Sequence, residues 1–219
     1  MAIDLAGDEA NFPVAPHVAA FNFVRDAGLN CTAHAGESLG PASVIETLEL
    51  LQPQRIGHGV RSVEDPDLVD RLIRMGIHLE ICPACNVQTG IFPDIIQHSL
   101  APLREAGINL GLNTDARATT NVSLCDEYTK VSAAFIWSLK EMHEITQSAL
   151  NASFAPEDVR ALVKTMLDSY IMWRRKAVSC AHLLTVWRTV PAAWLSKQTI
   201  EMECDLEMRV PTRVLRIND

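Results

Sequence analysis

Asn30-Cys31-Thr32-Ala33-His34-Ala35-Gly36-Glu37 is the stretch on which the fold turns. Asn30–Ala33 reads as a short buried strand, and His34-Ala35-Gly36-Glu37 follows where that strand runs out. Amphipathic segments flank it, around His17–Asp26 before and Ala42–Leu51 after, with Gly28 and Asn30 closing the first. The same unit recurs outward from there. Ala2–Leu5, Arg55–Gly57, Ile77–Ile81 and Ile108–Asn113 are further strand-like runs. Asp65-Pro66 opens a helix to about Met75, ended by Gly76; Asp at the cap and Pro in the first turn are strong start signals. A helix around Leu100–Ala106 ends at Gly107. Strands that alternate with helices in this way predict parallel βαβ units in sequential order.

Beyond Thr120 the pattern turns helical, with segments at Leu124–Leu139, Lys140–Asn151 and Pro156–Trp173. Pro156-Glu157-Asp158 gives the last a proline first turn and acids near the positive helix end. From Arg174 to Asp219 no clear period remains, and that stretch is an unassigned tail. The 219 residues are 48% hydrophobic, enough for one sizeable core. A net charge of −8 argues against a nucleic-acid partner, which requires Lys/Arg clusters. No stretch of about 20 apolar residues is present, so no membrane partner is expected. The start lacks a basic, apolar leader, and the scattered cysteines read as reduced thiols of a cytoplasmic protein.

Polar groups gather where each strand ends. The five exits carry Asp4 with Gly7-Asp8-Glu9, His34 with Glu37, His58-Gly59, Cys82-Pro83-Ala84-Cys85-Asn86, and Thr114-Asp115. In a barrel of parallel strands, catalytic groups sit at the C-terminal strand ends. Ordinary polar loops account for Asp4 or Asn86. They account less well for two histidines and an aspartate closing apolar strands. His34, His58 and Asp115 are good zinc ligands or ligand partners, and Glu37, three residues after His34, suits a general acid or base. Cys82 and Cys85 form a C-x-x-C, but the cytidine-type zinc deaminases use H-x-E with P-C-x-x-C. Here the spacings are H-x-x-E and C-P-x-C, so the expectation is a buried Cys82 and a loop Cys85.

Six motifs taken together resemble the adenosine deaminase family, in particular its bacterial type. They are Asp4-Leu5-Ala6-Gly7-Asp8-Glu9, Thr32-Ala33-His34-Ala35-Gly36-Glu37, Arg55-Ile56-Gly57-His58-Gly59, Leu79-Glu80-Ile81-Cys82-Pro83, Asn86-Val87-Gln88-Thr89-Gly90 and Leu112-Asn113-Thr114-Asp115. The likeness runs on through Asp126-Glu127-Tyr128 and Asn151-Ala152-Ser153-Phe154 to about Tyr170. It implies an α/β fold of the TIM-barrel (β/α)8 type with only about five strands present, a partial metallohydrolase barrel over residues 1–173. It also implies zinc-assisted hydrolysis of adenosine or deoxyadenosine, a purine nucleoside, to the inosine product and ammonia. Zn2+ would be held by His34 and Asp115. Glu37 would protonate purine N1, His58 would orient the attacking water and assist its deprotonation, and the Gly7 amide would hold purine N3.

The sequence departs from the family at two places. Ala116 stands where many members carry a second acid, or in bacterial forms an amide, that contacts the purine; a methyl cannot hydrogen-bond N7. The family's first strand bears a His-x-His pair that supplies two more zinc ligands, and no His-x-His occurs here. The run begins at what matches the family's fourth strand. The expectation is therefore a C-terminal portion with little or no activity by itself and an open barrel prone to self-association. The alternatives are a truncated non-catalytic remnant or binding module, and a deaminase of a related purine such as adenine.

Overall fold

The computed structural model describes residues 1–176. Five strands, β1 (Ala2–Leu5), β2 (Asn30–Ala35), β3 (Arg55–His58), β4 (His78–Ile81) and β5 (Asn109–Leu112), form one sheet. The order is β1-β2-β3-β4-β5 and every pair is parallel. This is the α/β partial barrel expected from the strand–helix alternation. Parallel neighbours need a crossover on the outside, and the intervening chain supplies α1 (Val18–Asp26), α2 (Pro41–Leu50) and α3 (Pro66–Met75). After β4 come α4 (Pro83–Gln88) and α5 (Leu100–Glu105); after β5 come α6 (Arg117–Thr120), α7 (Leu124–Phe135), α8 (Leu139–Ala152) and α9 (Glu157–Lys176).

Apolar residues from the strands meet apolar stripes of the helices. Ile56, Leu79 and Ile81 pack with Leu48, Leu72, Leu100 and Leu103, all at most 2% exposed. A smaller cluster gathers Phe21, Cys31, Ala33 and Leu51 under the β1–β2 end. Register then sets the height of each strand end: His34 lies opposite Gly57 and Ala35 opposite His58, while Ile81 lies opposite Leu112.

Local chemistry explains where elements stop. Asp65 accepts from the Asp67 and Leu68 amides at 3.0 and 3.2 Å, capping α3, and Gly76 ends that helix at φ 67°. The expectation of one helix over Leu124–Leu139 needs correction. Ile136 adopts φ 55°, and the Ser138–Glu141 capping box restarts the chain as α8. The segment after β4, expected as a loop, forms the six-residue α4. Pro83 at its first turn presets the helical φ, but six residues are too few to show a 3.6-residue period. The tail from Arg174, apart from the backbone at the end of α9, lies outside the described residues. Among the described residues no helix is long and apolar enough to cross a membrane.

Removing the Leu72 side chain with Leu72→Ala should cost roughly 2–5 kcal/mol, because it is fully buried between β-sheet and α3. Asp65→Ala removes only a cap and should cost about 1 kcal/mol. Urea unfolding of both variants checks the ratio; an equal loss would show that α3 is not docked as described.

Candidate active site

The two histidines are held by different means. His34, in β2, turns Nδ1 toward the Leu5 carbonyl at 3.2 Å, with Asp4 Oδ1 at 3.8 Å. That partnership engages Nδ1 and leaves Nε2 for a ligand. A Cβ on Gly57 would lie 2.9 Å from His34 Nδ1, so β3 carries glycine opposite the ring. His58, 1% exposed, ends β3 with φ 62°, and its ring centroid is 5.0 Å from that of His34. Asp115 follows β5 with φ 54°. Left-handed backbone at non-glycine residues costs on the order of 1–3 kcal/mol and tends to gather at functional sites. Candidate ligand atoms of His34, His58 and Asp115 all lie within 4.8 Å of one another. With His34, His58 and Asp115, residues Glu80, Cys82 and Thr114 line a cavity of about 300 Å³ at the strand ends.

Glu37 reaches the same rim because Glu9 anchors its loop. The Glu9 carboxylate accepts from the Gly36 and Glu37 amides at 2.8 and 2.9 Å and from the Ser43 hydroxyl at 2.8 Å. Glu37 Oε2 then lies 3.6 Å from His58 Nε2, and Oε1 accepts from the Asn86 amide at 3.0 Å. Burial, and then the neighbouring Asp115 charge, hold the Glu37 carboxyl above the usual carboxylate range. That favours a carboxyl able to keep a proton to give away. Burial pushes His58 down to about 4, with His34 the next cause, so the ring is neutral at pH 7. Gly7, in the loop after β1, has φ 145°, a conformation open to glycine.

Several residues that sequence reasoning passed over hold this rim together. Asn86, read there as an ordinary strand-end residue, is 0% exposed and also contacts His58 Nδ1 at 3.1 Å. Its carbonyl meets His98 Nε2 at 3.2 Å. Glu127 belongs to the first turn of α7, where an acid normally faces water, yet it is fully buried and accepts the Ala84 amide at 3.1 Å. Burial lifts it to about 7. Cys85 is not in a loop but in α4, buried, and its thiol donates to Asp115 Oδ2 at 2.9 Å. Burial pushes Cys85 up to about 12 and raises Cys82 further. Neutral thiols are poor nucleophiles, against a redox role for the C-x-x-C. Asn86 and Glu127 fall within the stretches that carry the family likeness and Cys85 within the C-x-x-C, whereas nothing in the sequence marks His98.

A family model described as adenosine deaminase matches residues 1–170. The chain is 44% identical over 157 residues to an adenine deaminase of Rhizobium leguminosarum bv. trifolii, covering 72% of this chain and 49% of that protein. Among solved structures, adenine deaminase from Arthrobacter aurescens superposes with TM-score 0.75 at 26% identity, covering 78% of this chain and 52% of that one. The N6-methyl-AMP deaminase of Arabidopsis thaliana superposes with TM-score 0.70 at 28% identity, covering 77% and 49%. The chain thus spans about half the length of the curated relatives it matches.

Glu127 generates a pH prediction. Its folded value, raised to about 7 from 4.5, means the folded state holds a proton that the unfolded chain releases. Stability from this group is therefore present below about pH 4.5 and is lost as pH rises through about 7. Glu127→Gln keeps an acceptor for Ala84 without the charge. Its stability relative to the parent should climb across that window in urea titrations; a difference independent of pH would contradict the buried, proton-holding carboxyl.

Proposed function

The chain belongs to the adenosine deaminase family, and from that premise we propose that it carries the catalytic rim of a hydrolytic deaminase acting on a 6-aminopurine, adenine first. In that reaction water adds at C6 and the amino group leaves as ammonia. The observation that carries the reading is the meeting of His34, His58, Asp115 and Glu37 at one end of a parallel sheet. Adenine stands ahead of adenosine because relatives at 40–44% identity bear the name adenine deaminase.

The residues fit a zinc ion. His34 has its Nδ1 engaged by a carbonyl, the arrangement that presents Nε2 to a metal, and Asp115 offers a carboxylate within 4.8 Å of it. In this reading His34 and Asp115 hold the ion, which when bound supplies acidified water at neutral pH. Glu37 carries the proton for the ring nitrogen, matching a carboxyl held above its ordinary range. His58 orients the water from its buried position, and the Gly7 backbone amide meets purine N3. The Cys85 thiol keeps Asp115 oriented.

Catalytic zinc generally takes three protein ligands, so a polypeptide of these 219 residues alone should hold it weakly. The outer edges of β1 and β5 have no strand neighbour among the described residues. The edge of β1, whose residues are exposed or half-buried, favours self-association of such a polypeptide, which sedimentation would read.

Adenine, adenosine and an N6-methylated adenine nucleotide should be compared as substrates, with zinc counted in each preparation. Adenine is expected to be turned over fastest, and Glu37→Gln to lose roughly 10²–10⁴-fold in turnover while keeping its zinc. Faster turnover of adenosine would move the substrate assignment. Undiminished activity in Glu37→Gln would remove that residue from its role.

A further inference from the structure

A buried hydrogen-bond chain behind the rim determines which nitrogen of His58 carries the proton. It starts at a backbone amide. The Leu100 N–H, at the beginning of α5, donates to His98 Nδ1 at 2.9 Å. A neutral imidazole has one donor and one acceptor nitrogen, so an accepting Nδ1 places the His98 proton on Nε2. Nε2 faces Asn86 Oδ1 at 3.2 Å and therefore donates to it. That orients the Asn86 amide. The reversed amide would set Nδ2 against a donating Nε2–H.

With Asn86 so oriented, its Nδ2 has two hydrogens to give. One goes to Glu37 Oε1 at 3.0 Å and the other to His58 Nδ1 at 3.1 Å. His58 Nδ1 must then accept, and its proton sits on Nε2, the atom 3.6 Å from Glu37 Oε2. Asn86 is 0% exposed, and His58 and His98 are each 1% exposed, so water does not compete for these contacts. Desolvated polar groups with every partner defined are costly to rearrange.

We propose that His98 is a positioning residue: through Asn86 it relays the orientation of the Leu100 amide to His58, fixing the Nε2–H tautomer. Two consequences follow. His58 presents a donor, not a lone pair, to the rim, which keeps it out of the ligand set formed by His34 and Asp115. Asn86 couples the orientation of His58 to that of Glu37, so both are set by one amide. The relay itself rests on hydrogen-bond inventory alone; its importance for turnover rests on the deaminase reading above.

The test is nitrogen NMR of the full chain carrying ¹⁵N-labelled histidine, without metal or substrate. In the parent protein, His58 and His98 should each show an acceptor-type Nδ1 and a protonated Nε2. His98→Gln retains both an acceptor for Leu100 and a donor for Asn86, and should keep the His58 pattern. His98→Leu retains neither and should give mixed His58 tautomers, with turnover falling roughly 10- to 100-fold in the active, zinc-loaded preparation. A parent His58 protonated at Nδ1, or an unchanged tautomer in His98→Leu, would overturn the proposal. A parent His58 or His98 protonated at Nδ1 overturns the proposal even if a variant fails to fold. The predicted tautomer without any deaminase activity would instead sink the functional reading and leave the relay standing.

Discussion

Parallel pairing obliges every strand to point the same way, and each return must pass outside the sheet. With β1 to β5 in sequential order, the five C-terminal ends therefore share one rim. Register does the fine placement. His34 stands opposite Gly57, which makes room for its ring, and His58, at the strand end with φ 62°, departs from the regular alternation of faces, so that the two ring centroids lie 5.0 Å apart. A slip of one residue in the β2–β3 pairing would turn His34 to the helix side and place an apolar side chain in the cavity. The apolar residues of β3 and β4, buried against α3 and α5, are what prevent that slip. Core packing and site geometry are in this sense one constraint.

The alternation of apolar runs with capped helices made the sheet legible, and the strand exits made His34, His58, Glu37 and Asp115 legible. What escaped was whatever depends on contacts distant in sequence. Ser123, three residues earlier, marks Asp126 for the exposed capping box, but nothing local marks Glu127 for burial on the Ala84 amide. His98 lies in an irregular segment and gains meaning only from Asn86, twelve residues earlier. Helix α4 is too short to announce itself by period, although it carries Cys85 and Asn86 to Asp115, Glu37 and His58. Short helices, caps and buried amides are tertiary facts, and periodicity cannot report them.

The rim holds its titratable groups apart by environment. Burial drives His58 toward the neutral form and Glu37 toward the protonated one. His34 and Asp115 each have one polar atom engaged, by the Leu5 carbonyl and the Cys85 thiol. Left-handed backbone at His58 and Asp115 is tolerated where Asn86 holds the one side chain and Cys85 the other. Proton-holding groups on one side and ligand-competent groups on the other form the division of labour that a metal-assisted hydrolysis requires.

The central claim is that one ion shares His34 and Asp115 while His58 and the cysteines stay outside its ligand set. Anomalous diffraction at the zinc edge, on crystals grown with the metal, tests it directly. The account predicts a single peak about 2.0–2.2 Å from His34 Nε2 and from an Asp115 carboxylate oxygen. A peak ligated by Cys82 and Cys85, or one bonded to His58, would contradict it.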